Sequence, residues 1–351
     1  MKINNKKDLR NYTLEEFQKL ITSIGQKPFR AKQLYGWVYK RRAVSIDEMT
    51  ELSLSLRERL KEDSFFIGSP KLLKQLTSKD GTVKLLLGLP DDVRIECVLI
   101  PDEKRLTLCL SSQAGCSLEC EFCMTGTMGA GRNLTLSELA GQFIIANDLI
   151  EDGLIEGHKR ISNIVMMGMG EPFLNYNNVM RFLGVLTDDN GLGIGPRKVT
   201  VSTSGIVSKI KMFGEDHGGA SLAVSLNATT DEVRSRLMPI NDKYPLNKLI
   251  AALRAYPLKK REAITIEYVL IKDVNDTPDD ARRLVKLLGG IKVKINLIPF
   301  NPYPGSVLTR PDERRVFTFQ KILLDKKLVA VRRDSRGADV GAACGQLKGE
   351  G

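Results

Sequence analysis

The order of apolar and polar residues predicts a small helical unit at the start of the chain. Within the first 62 residues, apolar positions recur at helical spacing, as they do along the stretch 29–38. Thr13, followed three residues later by Glu16, forms a capping-box pattern that marks the start of one helix. We expect Phe29 and Trp37 to lie on the apolar face of this unit, with Trp37 in its core.

After residue 82 the pattern changes to short strands, and beyond residue 112 strands alternate with amphipathic helices. The predicted strands are 82–89, 93–101, 105–112, 161–168, 198–203, 221–226, 263–271, 292–300 and 328–334. The predicted helices are 136–150, 178–186, 246–256, 279–288 and 313–324. Repeated strand-then-helix units give parallel strands with right-handed crossovers. About six such units form an incomplete barrel, whose sites lie at the C-terminal ends of the strands.

The composition is that of a soluble globular protein, and we expect a cytoplasmic one. Hydrophobic residues make up 42% and charged residues 27% of the chain. No apolar run approaches the roughly 20 residues that span a bilayer, and the N-terminus lacks the apolar core of a secretory signal. The chain has only two histidines, His158 and His217, which excludes a histidine-rich metal site.

The charge balance favours a polyanionic partner. Lys and Arg outnumber Asp and Glu by 53 to 42, which gives a net charge of +11, and residues 1–62 alone carry +6. Nucleic acid is the partner that such a balance most often indicates, although an ordinary basic enzyme would show it too. We expect Lys32, Lys40, Arg41 and Arg42 to form the surface that meets RNA or solvent.

Three of the six cysteines, Cys116, Cys120 and Cys123, form a CxxxCxxC motif in a loop after a predicted strand. Three closely spaced thiolates can hold three corners of a [4Fe–4S] cluster and leave the fourth iron open to a substrate. A structural zinc site usually has four ligands, and a disulfide scaffold does not suit a chain of this size. Three ordinary core cysteines remain the alternative.

This motif resembles that of the radical S-adenosylmethionine (SAM) superfamily, in which three cysteines hold the cluster and SAM chelates the open iron. Further segments narrow the resemblance to the adenine C2 methyltransferases of 23S ribosomal RNA and transfer RNA. In chain order they are SSQAGCSLECEFCMTG, MGMGEPFLNYNNV, VTVSTSG, MPINDKYP, IEYVLIKDVND, INLIPFNPYPG and RGADVGAACGQL. The resemblance implies an incomplete (β/α)6-type radical SAM barrel with a small helical N-terminal accessory domain.

The resemblance also implies a domain organisation. Residues 1–75 would form the basic RNA-binding accessory domain, and 76–104 a β-hairpin linker that packs on the barrel. Residues 105–335 would form the barrel itself. The final segment, 336–351, would be a loop that carries the methyl-accepting cysteine.

By resemblance, SAM is bound by residues that follow the ends of the predicted strands. These residues are Gly170, Glu171, Ser202, Ser225, Leu226, Asn227 and Asn301. The family usually has histidine at the position of Asn227. Asparagine donates and accepts hydrogen bonds but does not titrate, so a proton-carrying histidine is not essential here.

The resemblance assigns the chemistry to three further residues. Cys344 would take a methyl group from a first SAM, and a radical formed from a second SAM would activate that methyl for addition to adenine C2. Cys109 would then attack the Cys344 sulfur and release the RNA, while Glu96 would accept the C2 proton. From the residues alone, Cys109 and Cys344 are interpreted more readily as buried apolar side chains. Cys97 is interpreted as packing.

The expected function is therefore methylation of adenine C2 in 23S rRNA and in some tRNAs. The expected partners are these RNAs and an electron donor such as flavodoxin, and the chain is expected to be a monomer. Two alternatives remain: the related methyltransferase that acts on adenine C8, and a non-catalytic iron–sulfur RNA-binding protein. An open iron site beside the Gly170-Glu171 loop favours an enzyme.

Overall fold

The computed structural model describes residues 6–216 and 218–350, so that His217 and the two chain ends lie outside it. Its strands are β1 (Lys7–Asp8), β2 (Phe65–Phe66), β3 (Lys71–Thr77), β4 (Val83–Gly88), β5 (Arg94–Asp102), β6 (Arg105–Cys109), β7 (Gln113–Ala114), β8 (Arg132–Asn133), β9 (Asn163–Met166), β10 (Val199–Thr203), β11 (Ser221–Ser225), β12 (Ile264–Leu270), β13 (Val293–Pro299) and β14 (Val329–Arg332). Its α-helices are α1 (Leu14–Ser23), α2 (Phe29–Tyr35), α3 (Leu54–Glu62), α4 (Leu136–Glu151), α5 (Tyr176–Thr187), α6 (Val207–Asp216), α7 (Asp231–Leu237), α8 (Ile240–Lys243), α9 (Leu246–Arg254), α10 (Pro278–Leu288) and α11 (Glu313–Asp325).

A single ten-stranded sheet organises the barrel. Its strand order is β14-β13-β12-β11-β10-β9-β6-β5-β4-β3. In this sheet β6 and β9 to β14 pair in parallel, and helices connect them. The short strands β7 and β8 form a separate antiparallel pair. Each strand predicted beyond residue 82 overlaps one of these strands, and the expected incomplete parallel barrel is confirmed. The C-terminal ends of the parallel strands therefore meet on one rim.

The antiparallel half of the sheet extends further than the sequence predicts. Strands β3, β4, β5 and β6 pair antiparallel in chain order, so the predicted hairpin is a continuation of the barrel sheet. The predicted domain boundary at residue 75 falls inside β3. This strand lies at the sheet edge and is exposed along nearly its whole length, so it lacks the apolar alternation that would reveal a half-buried strand.

The N-terminal unit is helical, as predicted, and the capping box of α1 is present. The backbone N–H of Thr13 donates to the Glu16 carboxylate at 2.7 Å, and the Thr13 hydroxyl accepts from the Glu16 N–H. Trp37 is only half-buried, under the Arg41 guanidinium at 4.3 Å. Phe29, in the first turn of α2, is 50% exposed, so the apolar face of this unit is narrower than predicted.

Ion pairs join the N-terminal unit to the barrel. Arg42 donates to Asp148 and Glu151 of α4, each at 2.6 Å. Arg41 pairs with Glu51 within the unit itself. Both arginines are therefore neutralised by protein carboxylates. Within the described ranges, no helix is long and apolar enough to cross a membrane.

Candidate functional site

A cavity opens at the C-terminal rim of the parallel strands. Loops that follow β6, β9, β10, β11 and β13 meet there, as the fold predicts. The sequence-predicted residues that line it are Cys116, Cys120, Cys123, Gly170, Glu171, Ser202, Ser225, Asn301 and Cys344.

The three clustered cysteines lie on the loop after β6 and form one wall of the cavity. Burial raises the pKa of Cys116 to about 12 and that of Cys120 well above its usual range, and the neighbouring cysteines add to both shifts. These thiols therefore need nearby positive charge to ionise, and bound iron would supply it. The donor set fits a [4Fe–4S] cluster that the three cysteines would hold through three of its irons.

An iron–sulfur cluster requires a different arrangement of its protein ligands from that of a single metal ion. Among the residues that the structure describes, no three His, Cys, Asp or Glu side chains are grouped to hold one metal ion. A cubane requires only that each thiolate reach its own iron. The protein ligand for the fourth iron is absent from the motif, which leaves room for a bound substrate.

The loop after β9 is built around a glycine that no other residue could replace. Gly170 has a φ of +89°, and a Cβ added there would lie 2.4 Å from Gln113 Cβ. The Gln113 side chain accepts from the Glu171 N–H at 2.8 Å and so fixes this turn. Close backbone approach here is what lets the loop form the cavity wall.

Glu171 is buried, and its carboxylate is held by neighbouring donors. It accepts from the backbone N–H and the hydroxyl of Ser204, at 2.7 and 2.5 Å, and from the Phe173 N–H at 2.9 Å. Burial raises the pKa of this carboxyl, and these hydrogen bonds oppose that shift. The group joins the ends of β9 and β10 at the wall of the cavity.

Two of the predicted SAM residues lie behind the cavity wall. Leu226 is fully buried, and Asn227 is buried with a left-handed φ of +58°. The Asn227 side chain accepts from the Val269 N–H at 2.8 Å, and its backbone carbonyl accepts from Asn275 at 2.6 Å. Asparagine tolerates this conformation well, so the residue shapes the turn after β11.

The C-terminal loop places Cys344 in the cavity. The Asn301 amide donates to the Cys344 carbonyl at 3.1 Å, and the Met124 N–H donates to the Gly345 carbonyl at 2.7 Å. Gly345 has a φ of +84°, and a Cβ there would lie 2.9 Å from the Phe122 carbonyl oxygen. Cys344 and the three clustered cysteines thus line the same space.

Comparisons with known proteins agree with this geometry. A family model described as "Ribosomal RNA large subunit methyltransferase N-terminal domain" matches residues 7–65, and one described as "Radical SAM superfamily" matches residues 110–288. A protein of Geotalea uraniireducens named "Dual-specificity RNA methyltransferase RlmN" is 47% identical over 98% of this chain and 97% of its own length. A protein of the same name from Syntrophotalea carbinolica is 48% identical over 98% of this chain and 90% of its own.

The chain belongs to the RlmN family of radical SAM RNA methyltransferases. The crystal structure of a radical SAM methyltransferase from Sphaerobacter thermophilus superposes with a TM-score of 0.90, at 40% identity, over 98% of this chain and 99% of that one. The expected family and barrel are confirmed, and the chain is a SAM-dependent enzyme.

Two residues that the RlmN family resemblance assigns to catalysis are not among those lining the cavity. Cys109 is buried at the end of β6, and burial, followed by the charge of nearby Cys344, raises its pKa far above the usual range. Glu96 is fully buried on β5, with its carboxylate 2.9 Å from the Lys84 ammonium. Its second oxygen accepts from the backbone N–H groups of Lys348 and Gly349.

Sequence reasoning missed two charged residues of this RlmN-family site. Arg234 of α7 is fully buried and donates to the carbonyls of Ser204 and Leu226, at 2.7 and 3.1 Å, so it ties together the loops after β10 and β11. Glu267 of β12 lines the cavity and accepts from Asn296 at 2.8 Å. A carboxylate within an apolar strand was the one signal that could have revealed Glu267.

Proposed function

We propose that this enzyme methylates C2 of adenine in 23S ribosomal RNA, in the peptidyl-transferase region, and in some transfer RNAs. The names of the relatives support RNA as the substrate and a dual specificity. The observation that carries the proposal is the position of Cys344, which lines the same cavity as the three clustered cysteines. A methyl carrier and a radical-generating centre must share one space if the methyl group is to be activated.

In this proposal Cys116, Cys120 and Cys123 hold a [4Fe–4S] cluster, and the Gly170-Glu171 loop with Ser202, Ser225 and Asn301 holds SAM. When bound, this pair supplies the methyl group and the radical chemistry that an electron-poor carbon such as adenine C2 requires. The cavity walls exclude water from the reacting groups, since most of the lining is apolar. The buried carboxylate of Glu171 provides the charge for the SAM ammonium.

Cys344 carries the methyl group. Cys344 is exposed at the cavity. The surrounding protein atoms, and next the charge of Glu267, raise its pKa above the usual range, so the thiol is largely protonated at neutral pH. Because a thiolate is the effective nucleophile, binding of a sulfonium cation in the cavity favours the ionised form that attacks its methyl. The proton leaves the sulfur as the new carbon–sulfur bond forms.

Cys109 resolves the protein–RNA adduct by attacking the Cys344 sulfur. The bond between this sulfur and the RNA-linked carbon breaks, the carbon takes the electron pair and a proton, and a disulfide joins the two cysteines. The electrostatic effect of Cys344 on Cys109 supports their proximity. Glu96 accepts the adenine C2 proton in this proposal. Its carboxylate is engaged by the C-terminal backbone, so it becomes available when residues 348–349 move away. An electron donor such as flavodoxin supplies the electron that the radical chemistry requires. The enzyme acts as a monomer.

The test is direct analysis of the modified base. Reconstituted enzyme is incubated with SAM, reduced flavodoxin and either a 23S fragment or tRNA, and the RNA is digested to nucleosides for chromatography and mass spectrometry. We expect 2-methyladenosine from both RNAs, and none from Cys344→Ala. Formation of 8-methyladenosine, or no methylated adenosine despite an intact cluster, would contradict the proposal.

A further inference from the structure

The C-terminal segment 337–349 contacts the antiparallel strands at several points. The Gly337 N–H donates to Asp80 at 2.9 Å, and the Asp339 carboxylate accepts from the Ser78 hydroxyl at 2.5 Å. Beyond Cys344, the Thr125 hydroxyl donates to the Leu347 carbonyl at 2.6 Å. Both arms of the loop that carries Cys344 are therefore tied to the barrel by polar contacts.

Between these contacts lies a buried ion pair. Lys84 of β4 and Glu96 of β5 occupy diagonal positions of an antiparallel ladder, since Lys84 pairs with Val98 and Glu96 with Leu86. Their side chains lie on the same face and meet at 2.9 Å, and both are almost completely buried. A buried ion pair is costly unless its remaining donors and acceptors are satisfied.

The C-terminal segment supplies three of these partners, while Glu96 Oε1 faces only the Lys84 ammonium. The Lys84 ammonium donates to the Gly341 carbonyl at 3.3 Å, three residues before Cys344. The Glu96 carboxylate accepts from the N–H groups of Lys348 and Gly349, at 2.8 and 3.2 Å, four and five residues after Cys344. The ion pair thus forms hydrogen bonds with the backbone of this loop on both sides of Cys344.

We propose that Lys84 and Glu96 form a clamp that holds the Cys344 loop in the cavity, with Lys84 as a positioning residue. Loss of either charge leaves the other buried and alone, and it also weakens the hydrogen bonds to the loop. The clamp therefore couples the position of Cys344 to the hydrogen bonds that the Glu96 carboxylate accepts. When the loop withdraws, the Glu96 carboxylate loses two donors at the moment when a proton acceptor is required. Only this last consequence rests on the proposed function.

Hydrogen–deuterium exchange of the anaerobic holoenzyme tests the clamp without relying on activity. In Lys84→Met, we expect the amides of residues 341–349 to exchange roughly tenfold faster or more, because charge-assisted hydrogen bonds hold them. Lys84→Arg keeps the charge and should restore most of the protection. The matched control is Lys74→Met, which removes an exposed lysine from the neighbouring β3 and should leave exchange unchanged.

A second variant distinguishes loss of the clamp from misfolding caused by Lys84→Met. The double variant Lys84→Met/Glu96→Gln contains no buried charge, so it should keep the fold and the cluster and still show fast exchange at 341–349. Unchanged exchange in both variants overturns the clamp. RNA methylation by Lys84→Met should fall with unchanged SAM affinity; fast exchange together with a wild-type methylation rate would overturn the positioning role.

Discussion

At the scale of single residues, the site depends on a few side chains whose chemistry is visible in the sequence. The CxxxCxxC spacing was identified from residue types, the Gly170-Glu171 turn was expected from the family resemblance, and the structure brings both to one cavity. Arg234 and Lys84 were not predicted, because a buried cation can be identified only once its partners are known. No local pattern links Lys84 to Gly341, which lies 257 residues away.

The three clustered cysteines are expected to act as one unit. Cys120→Ala should abolish the visible absorbance of the iron–sulfur cluster and all methyl transfer, since Cys116 and Cys123 alone supply only two of the three thiolates. Cys97→Ala is the matched control, because Cys97 is fully buried on β5 and outside the cavity. It should keep the cluster and lose only about 1 kcal/mol of stability. Full iron content in Cys120→Ala would refute the assignment.

The turn at Gly170 should tolerate no side chain. Gly170→Ala places a Cβ against Gln113 and demands a left-handed φ, so SAM affinity should fall at least tenfold, as measured by equilibrium binding. Gly184→Ala is the control, because Gly184 lies within α5 with open space around it. Alanine there should stabilise the protein by up to about 1 kcal/mol. Equal SAM binding by both variants would contradict this role of the turn.

At the scale of elements, strand and helix periodicity predicted the parallel half of the sheet well. Strand β12 is buried along nearly its whole length and β9 alternates between partly buried and buried positions, and the apolar residues of both strands allowed them to be identified. The short helices α7 and α8 were not identified, since seven and four residues are too few to establish a period. The edge strand β3 was not identified because it has no buried face and therefore no apolar alternation.

Arg234 is expected to hold two of these elements together. Arg234→Met removes the donor of the Ser204 carbonyl and leaves the Leu226 carbonyl with only the Ala228 N–H. Because a buried unsatisfied group costs about 1–3 kcal/mol, the free energy of unfolding, measured by urea denaturation, should fall by about that amount. Arg282→Met, on the exposed face of α10, should change it by less than about 0.5 kcal/mol. A similar decrease in both variants would show that Arg234 is not a special link.

At the scale of the whole molecule, net charge indicated an RNA partner but could not locate the contact surface. Arg41 and Arg42, which the sequence placed on that surface, are paired with protein carboxylates. Lys27 and Lys32 are exposed, and no acidic partner for them exists among the described residues. Charge counting misses this distinction because pairing is decided by the fold.

Salt dependence separates these two groups of cations. Lys27→Ala/Lys32→Ala should weaken RNA binding and reduce the slope of log affinity against log salt by about 0.7–0.9 for each RNA phosphate that is no longer neutralised. Arg42→Ala should leave that slope unchanged and instead lower the melting temperature, because it breaks the link to α4. The reverse pattern would place the RNA-binding surface at Arg42.

The central claim is that Cys344 carries the methyl group to RNA and that Cys109 releases the product. The most direct measurement is a denaturing gel of enzyme incubated with SAM, reductant and labelled RNA. Cys109→Ala should accumulate a covalent protein–RNA band, because the adduct forms before the step that needs a second thiol. Cys344→Ala should form none. A shifted band with Cys344→Ala, or free methylated RNA at the normal rate from Cys109→Ala, would contradict the account.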